Sequence, residues 1–244
     1  MQSTDKYDKI DVNCHGERNK KMKHNHALYP LLASVFAFLF LLLIVFLFST
    51  AVQPLWGRML LFALPVVIFG MVAFFAAKGK LNATATIIST TILIFVLFLV
   101  SLVQVVTLFF TTATTVTTDT KYYSRAFNQI DRVPCVEAVF PKSIPEDAEN
   151  VCFSYTPQFL QGGEVFELSY TTTPEKLTQW ATILEDKADW FGSNQEWIVA
   201  NNQGFRGADA VRYQFIWDNG NHGEECYVLI ESAVNQITFY YSVW

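Results

Sequence analysis

At 244 residues, with 52% hydrophobic side chains, a mean hydropathy of +0.25 and a net charge of −5, the chain is more apolar than an ordinary soluble domain. The charge is uneven: after Thr118 there are 18 acidic against 8 basic side chains, a net of −10. That balance excludes nucleic acid as an expected partner of the C-terminal half.

Residues 1–27 are polar, mix both charges and lack apolar periodicity, so they read as a disordered cytoplasmic tail. Cys14, His15, His24 and His26 are soft ligands, but their spacing fits no closed four-ligand zinc pattern, and no metal is expected there. The lipid bilayer is the first partner, because segment 28–111 holds three apolar stretches at about 28–50, 58–77 and 85–110. Each supplies the roughly 20 residues that a helix needs to cross it. The first is no signal peptide: more than 20 residues precede it, and its apolar core exceeds the usual length of about 7–15. Pro65 falls inside the second, where membrane helices tolerate proline. No ionisable side chain lies within the stretches beyond Arg58 at an edge, which argues against an ion pathway. Ala33 with Ala37 and Ala73 with Ala77 form small-xxx-small steps through which the helices could associate as a homo-oligomer.

Cations near the spans set the expected orientation. Arg18, Lys20, Lys21 and Lys23 precede the first span, and Lys78 and Lys80 lie between the second and third, whereas the link 51–57 carries none. The tail and the Lys78–Lys80 link are therefore assigned to the cytoplasm, and the C-terminal domain to the outside of a multi-pass plasma-membrane protein. The sequon Asn82-Ala-Thr84 falls on the inner side in this arrangement.

Residues 112–120 are threonine-rich and read as a stalk, and 121–244 as an extracytoplasmic α+β domain. Period-two apolar patterns predict strands over Val136–Phe140, Val151–Tyr155, Val165–Thr171, Trp197–Ala200, Ala210–Trp217, Glu225–Glu231 and Gln236–Val243. One helix is predicted from Pro174 to about Trp190, with Thr173 as N-cap and an apolar stripe of Leu177, Trp180, Ile183 and Leu184. A mainly antiparallel sheet with one packed helix follows from that order. Asp218–Gly223 reads as a hairpin turn without the acidic residues of a calcium loop, and Gln161-Gly-Gly163 as a turn rather than a phosphate cradle.

Cys135, Cys152 and Cys226 fall in the domain placed outside, where disulfides persist. Cys135 and Cys152 are the candidate bridge, closing a loop of about 17 residues; a bridge to Cys226, or three reduced thiols, stays open. Catalytic residues are not evident. His222 is the single histidine of this half and sits in the hairpin turn, and Glu146, Asp147, Glu149, Glu164, Glu167, Glu224 and Glu225 are what any acidic surface carries. Trp180, Trp190, Trp197, Trp217 and Trp244 supply core packing, and any of them left at the surface would favour a contact.

The run Phe140-Pro-Lys-Ser-Ile-Pro-Glu-Asp-Ala-Glu-Asn-Val-Cys-Phe-Ser-Tyr-Thr-Pro-Gln-Phe-Leu-Gln-Gly-Gly163 resembles a segment of uncharacterised membrane-anchored proteins of clostridial-type Gram-positive bacteria. The resemblance implies apolar spans joined to an extracytoplasmic α+β domain in a bacterial plasma membrane, and it transfers no activity, cofactor or functional residue. The function expected is a membrane-anchored binding or accessory module, acting on an envelope protein or a small ligand without catalysis or cofactor. An extracytoplasmic carboxylate-dependent hydrolase is the alternative.

Overall fold

The computed structural model describes residues 5–130, 132–160, 163–201, 209–216 and 223–243, the side chains being described from 26 onward except at 198–201. The chain divides into two compact units, Met1–Thr112 and Ala113–Trp244.

The first unit contains α1 (Asp5–Ser49), α2 (Trp56–Leu60), α3 (Ala63–Ala77) and most of α4 (Ala83–Thr114). Three stretches, His26–Ser49, Trp56–Ala77 and Ala83–Thr114, are long and apolar enough to cross a membrane, matching the expected spans to within a few residues. One expectation needs correcting: the tail placed in 1–27 as disordered is helical backbone from Asp5, continuous with the apolar part of α1. An established helix extends at one hydrogen bond per added residue, and Asp5/Lys9 and Glu17/Lys21 have the i,i+4 order that supports extension.

The second span breaks between α2 and α3, and Pro65 explains where. Lacking an N–H, Pro65 cannot donate to the Leu61 carbonyl, and its ring crowds it. Tighter three-residue bonds replace the missing one: Leu61 N donates to Arg58 O, Phe62 N to Met59 O and Leu64 N to Leu61 O, at 3.1–3.2 Å. Asn82 caps α4 by accepting from Ala85 N at 2.7 Å. Ile44, Met59, Phe62 and Leu108 form the buried centre of the unit. Ala33 and Ala37 line an apolar groove of about 640 Å³ between α1, α3 and α4.

The second unit is built on a six-stranded, wholly antiparallel sheet in the order β1-β2-β6-β5-β4-β3. Its strands are β1 (Glu149–Thr156), β2 (Glu164–Thr171), β3 (Trp190–Ser193), β4 (Val211–Phe215), β5 (Glu224–Glu231) and β6 (Gln236–Val243). Between them lie α5 (Tyr123–Ile130), α6 (Pro134–Val139), α7 (Pro174–Lys187) and α8 (Asn194–Asn201). The α+β expectation therefore stands, with more helices than the one predicted. Helix α7 starts as expected: Pro174 occupies its first turn, and the Thr173 hydroxyl accepts from Lys176 N.

Directly paired residues share a face of the sheet. On one face the register aligns Phe153 with Leu168, Leu168 with Phe239 and Phe239 with Val228. Helices α5, α6 and α7 cover this face: Tyr123 packs on Phe153 and Phe166, Phe140 on Phe166 and Phe239, and Trp180 on Phe239. Phe166, Leu168, Phe239 and Leu184 are fully buried, each such side chain contributing about 1.5–3 kcal/mol of hydrophobic stabilisation.

The other face carries Cys152, Glu167, Thr238, Tyr240, Tyr227, Leu229, Arg212, Gln214 and Trp190, and α8 lays Trp197 over part of it. Gly192 lies under the Trp190 indole, and a Cβ there would stand 2.8 Å from the ring, so no larger residue fits without moving it.

Two predicted strands are helices. Val136–Phe140 lies mostly in α6 and Trp197–Ala200 in α8, both short apolar runs whose periodicity does not decide between the two forms. The stalk expected over 112–120 is also partly structured. Helix α4 continues to Thr114, Thr117 forms a two-way bridge with Tyr155, and Asp119 caps a turn at Thr120–Tyr122. The hairpin residues 218–222 and Gln161 and Gly162 lie outside the described residues, as do Trp217 and Trp244.

Candidate functional site

A cavity of about 310 Å³ opens beneath α7, lined by Pro145, Asp147, Tyr170, Thr172, Lys176, Gln179, Trp180 and Ile183. Three pieces of chain meet there for separate local reasons. Tyr170 is an inward position near the end of β2, Lys176, Gln179 and Trp180 stand at helical spacing on α7, and Asp147 comes from the loop before β1.

Asp147 joins loop and helix. One carboxylate oxygen accepts from Lys176 Nζ at 2.6 Å, the other from the Thr172 hydroxyl at 2.7 Å. The Lys176 bond, and then that of Thr172, hold its carboxyl below the usual range. The loop is thereby fixed against the helix across an ion pair that remains half open to solvent.

Tyr170 forms the floor. It is 1% exposed, stacks on Phe239, and its hydroxyl makes no hydrogen bond of proper geometry among the described residues. Burial, reinforced by Asp147, pushes its pKa up, so the group is a neutral phenol with an unspent proton. The Trp180 indole N–H beside it is itself a donor and leaves that proton without an acceptor.

Two further polar clusters lie elsewhere in the domain. At one end of the sheet Glu164 and Glu224 flank Val243 on neighbouring strands. The Tyr155 hydroxyl donates to Glu164 at 2.7 Å, and burial raises the Glu164 pKa despite that bond and the nearby Arg132. Tyr241, between the carboxylates, is pushed up to about 12, first by burial and then by Glu164 and Glu224. On the opposite face Arg212, 3% exposed, is held between Tyr227 at 3.7 Å and Trp197 at 4.9 Å. Its Nε donates to Gln214 and its Nη1 to Asn194.

The cysteines pair otherwise than expected. Cys135 bridges Cys226, with Cα atoms 6.6 Å apart, and Cys152 is a free, exposed thiol. The candidate pair Cys135 and Cys152 fails because Cys135 is on α6, above the helix-covered face. Cys226 points to that face, whereas Cys152 points to the other.

Of the carboxylates named from sequence, Asp147 alone lines the cavity, and Glu146 and Glu149 are exposed beside it in the chain. Among the described residues no three His, Cys, Asp or Glu side chains come together as metal ligands; His222 and the side chains of Cys14, His15 and His24 lie outside them. Trp180 is the cavity's tryptophan. Tyr170, Thr172, Lys176 and Gln179 were not singled out by sequence reasoning, and their inward or helical positions were the only signal available. No protein-family model, curated protein or solved structure matches the chain.

Proposed function

We propose that the chain is a membrane-anchored binding module whose C-terminal domain is held outside the cytoplasm and takes a small ligand beneath α7. The observation that carries the binding reading is the cavity: a buried hydroxyl with an unspent proton, ringed by a lysine, a carboxylate, an amide and an indole, is the mix of apolar wall and few oriented polar groups that ligand sites use. The external placement is supported by the lysines and arginine ahead of the first span, by Lys78 and Lys80 between the second and third, and by the Cys135–Cys226 bridge, which suits an oxidising space. The hydrolytic alternative draws on Glu164 and Glu224. It ranks second because Glu164 is engaged by Tyr155 and neither carboxylate lines the cavity.

Two measurements test this reading. Cys152 is a built-in reporter of sidedness, so in a Cys14→Ser chain an impermeant maleimide should label intact cells, and in a Cys152→Ser chain it should not. The reverse pattern would place the domain inside. For binding, a library of small fragments screened by ligand-observed NMR against the full chain in nanodiscs should give hits that Lys176→Met and Tyr170→Phe both weaken. Hits indifferent to both changes would remove the cavity from the account.

A further inference from the structure

Resting on that reading, we infer that the ligand beneath α7 is a neutral, polyhydroxylated molecule of single-ring size, that is, one sugar ring. Charge decides first. Among the described residues Lys176 and Asp147 are the two formal charges lining the cavity, and they cancel at 2.6 Å. An anion reaching Lys176 would stand beside Asp147, and a cation reaching Asp147 beside Lys176. Either meets a like charge at close range.

Unused hydrogen-bonding capacity decides next. Lys176 has N–H groups beyond the one given to Asp147, and Asp147 has lone pairs beyond those taken by Lys176 and Thr172. Gln179 offers both a donor and an acceptor, and Tyr170 offers a proton from the floor. A ligand whose every polar group both donates and accepts satisfies this set, and hydroxyl groups do so. Pro145, Ile183 and the Trp180 ring supply apolar surface for the C–H faces of such a ring. Size agrees, since about 310 Å³ is at the lower end of ligand pockets, roughly 300–1,000 Å³, and admits a ring rather than a chain of them.

The test uses the full chain in nanodiscs with 5-fluorotryptophan incorporated, the Trp180 resonance being assigned from its loss in Trp180→Phe. Six probes are titrated: D-glucose, D-galactose, D-mannose, D-glucuronate, protonated D-glucosamine and benzyl alcohol. At least one hexose should shift the resonance saturably, with both charged sugars weaker by about tenfold, the scale of one unfavourable charge contact. Gln179→Ala, an exposed change that spares the ion pair, should weaken the hexose severalfold. A charged sugar binding as well as the best hexose would overturn the inference. So would a response to benzyl alcohol with none to any sugar, which leaves a working cavity of another class; silence from all six probes would sink the cavity reading with it.

Discussion

Thr86 and Thr107, in the membrane-length helices, each give their hydroxyl proton to the backbone carbonyl four residues earlier, at 2.8 Å, whereas Ser34 reaches across to Val66 O at 3.0 Å. In the C-terminal domain Tyr155 gives its proton to Glu164 and Thr172 to Asp147, side chain to side chain. The difference follows from solvent. A helix in hydrocarbon has its own carbonyls as the nearest acceptors, so a hydroxyl there needs no distant partner. Ser34 and Arg58, which gives an N–H to the Thr111 hydroxyl at 2.8 Å, are exceptions that tie helix to helix. A sheet packed under helices brings remote side chains together, so its polar contacts record the tertiary fold. The spans of the first unit can thus be read from local composition, whereas the polar contacts of the second cannot.

The largest test of that contrast is the disulfide, which links positions 91 apart. Closing a loop of that size is worth about 4.6 kcal/mol in the chain-entropy model. Cys226→Ser should lower the melting temperature of the domain by about 10 °C or more in the full chain, followed by near-ultraviolet circular dichroism. Cys152→Ser should leave it unchanged. Non-reducing peptide mapping should recover Cys135 joined to Cys226, and a Cys152 adduct instead would break the assignment.

Next comes a matched pair of hydroxyl deletions. Tyr155→Phe leaves the buried Glu164 carboxylate without its donor and should cost about 1–3 kcal/mol. Thr107→Val removes a hydroxyl that bonds only within its own helix and should cost under about 0.5 kcal/mol. Thermal unfolding of both variants in the same detergent compares them, and equal losses would erase the distinction between the units.

The same distinction explains what the sequence revealed. The three apolar helices were legible because length and composition alone define them, and strands β1 and β2 because their alternation matches a half-buried sheet. Strands β5 and β6 were legible as short runs rich in β-branched and aromatic residues, buried on both faces. Val136–Phe140 misled because Cys135, Val136 and Val139 bury at helical spacing within a run too short to show it. That error carried the disulfide with it: a strand beside Cys152 makes that pair plausible, whereas a helix over the inner face brings Cys135 to Cys226. The tail misled differently, since it has no apolar periodicity to mark the helix that α1 extends into it, and only the Asp5/Lys9 and Glu17/Lys21 spacings hint at one. As for the cavity, Asp147, Tyr170 and Lys176 are unremarkable singly, and only the packing of α7 on β2 makes them neighbours.

The smallest expected effect is also the most diagnostic of tertiary burial. Glu164 has its pKa raised above the ordinary 4.5 by desolvation, which outweighs the Tyr155 hydrogen bond and the attraction of Arg132. The folded domain therefore keeps the Glu164 proton to higher pH than the unfolded chain does. Between those two values the native state binds more protons, so stability falls as pH rises. The contribution is complete below the unfolded value and lost once pH passes the folded one. Glu164→Gln has no proton to lose, while its amide oxygen still accepts from Tyr155. The variant should therefore match the parent chain at pH 4 or so and gain on it as pH rises toward neutrality, by less than the Tyr155→Phe loss. Melting temperatures of the two chains across that range isolate Glu164, because Asp119 and Asp147, whose values are lowered, contribute equally to both. A difference that stays constant with pH would mean that the Glu164 carboxyl is solvated, and that Tyr155 donates to a surface group rather than a buried one.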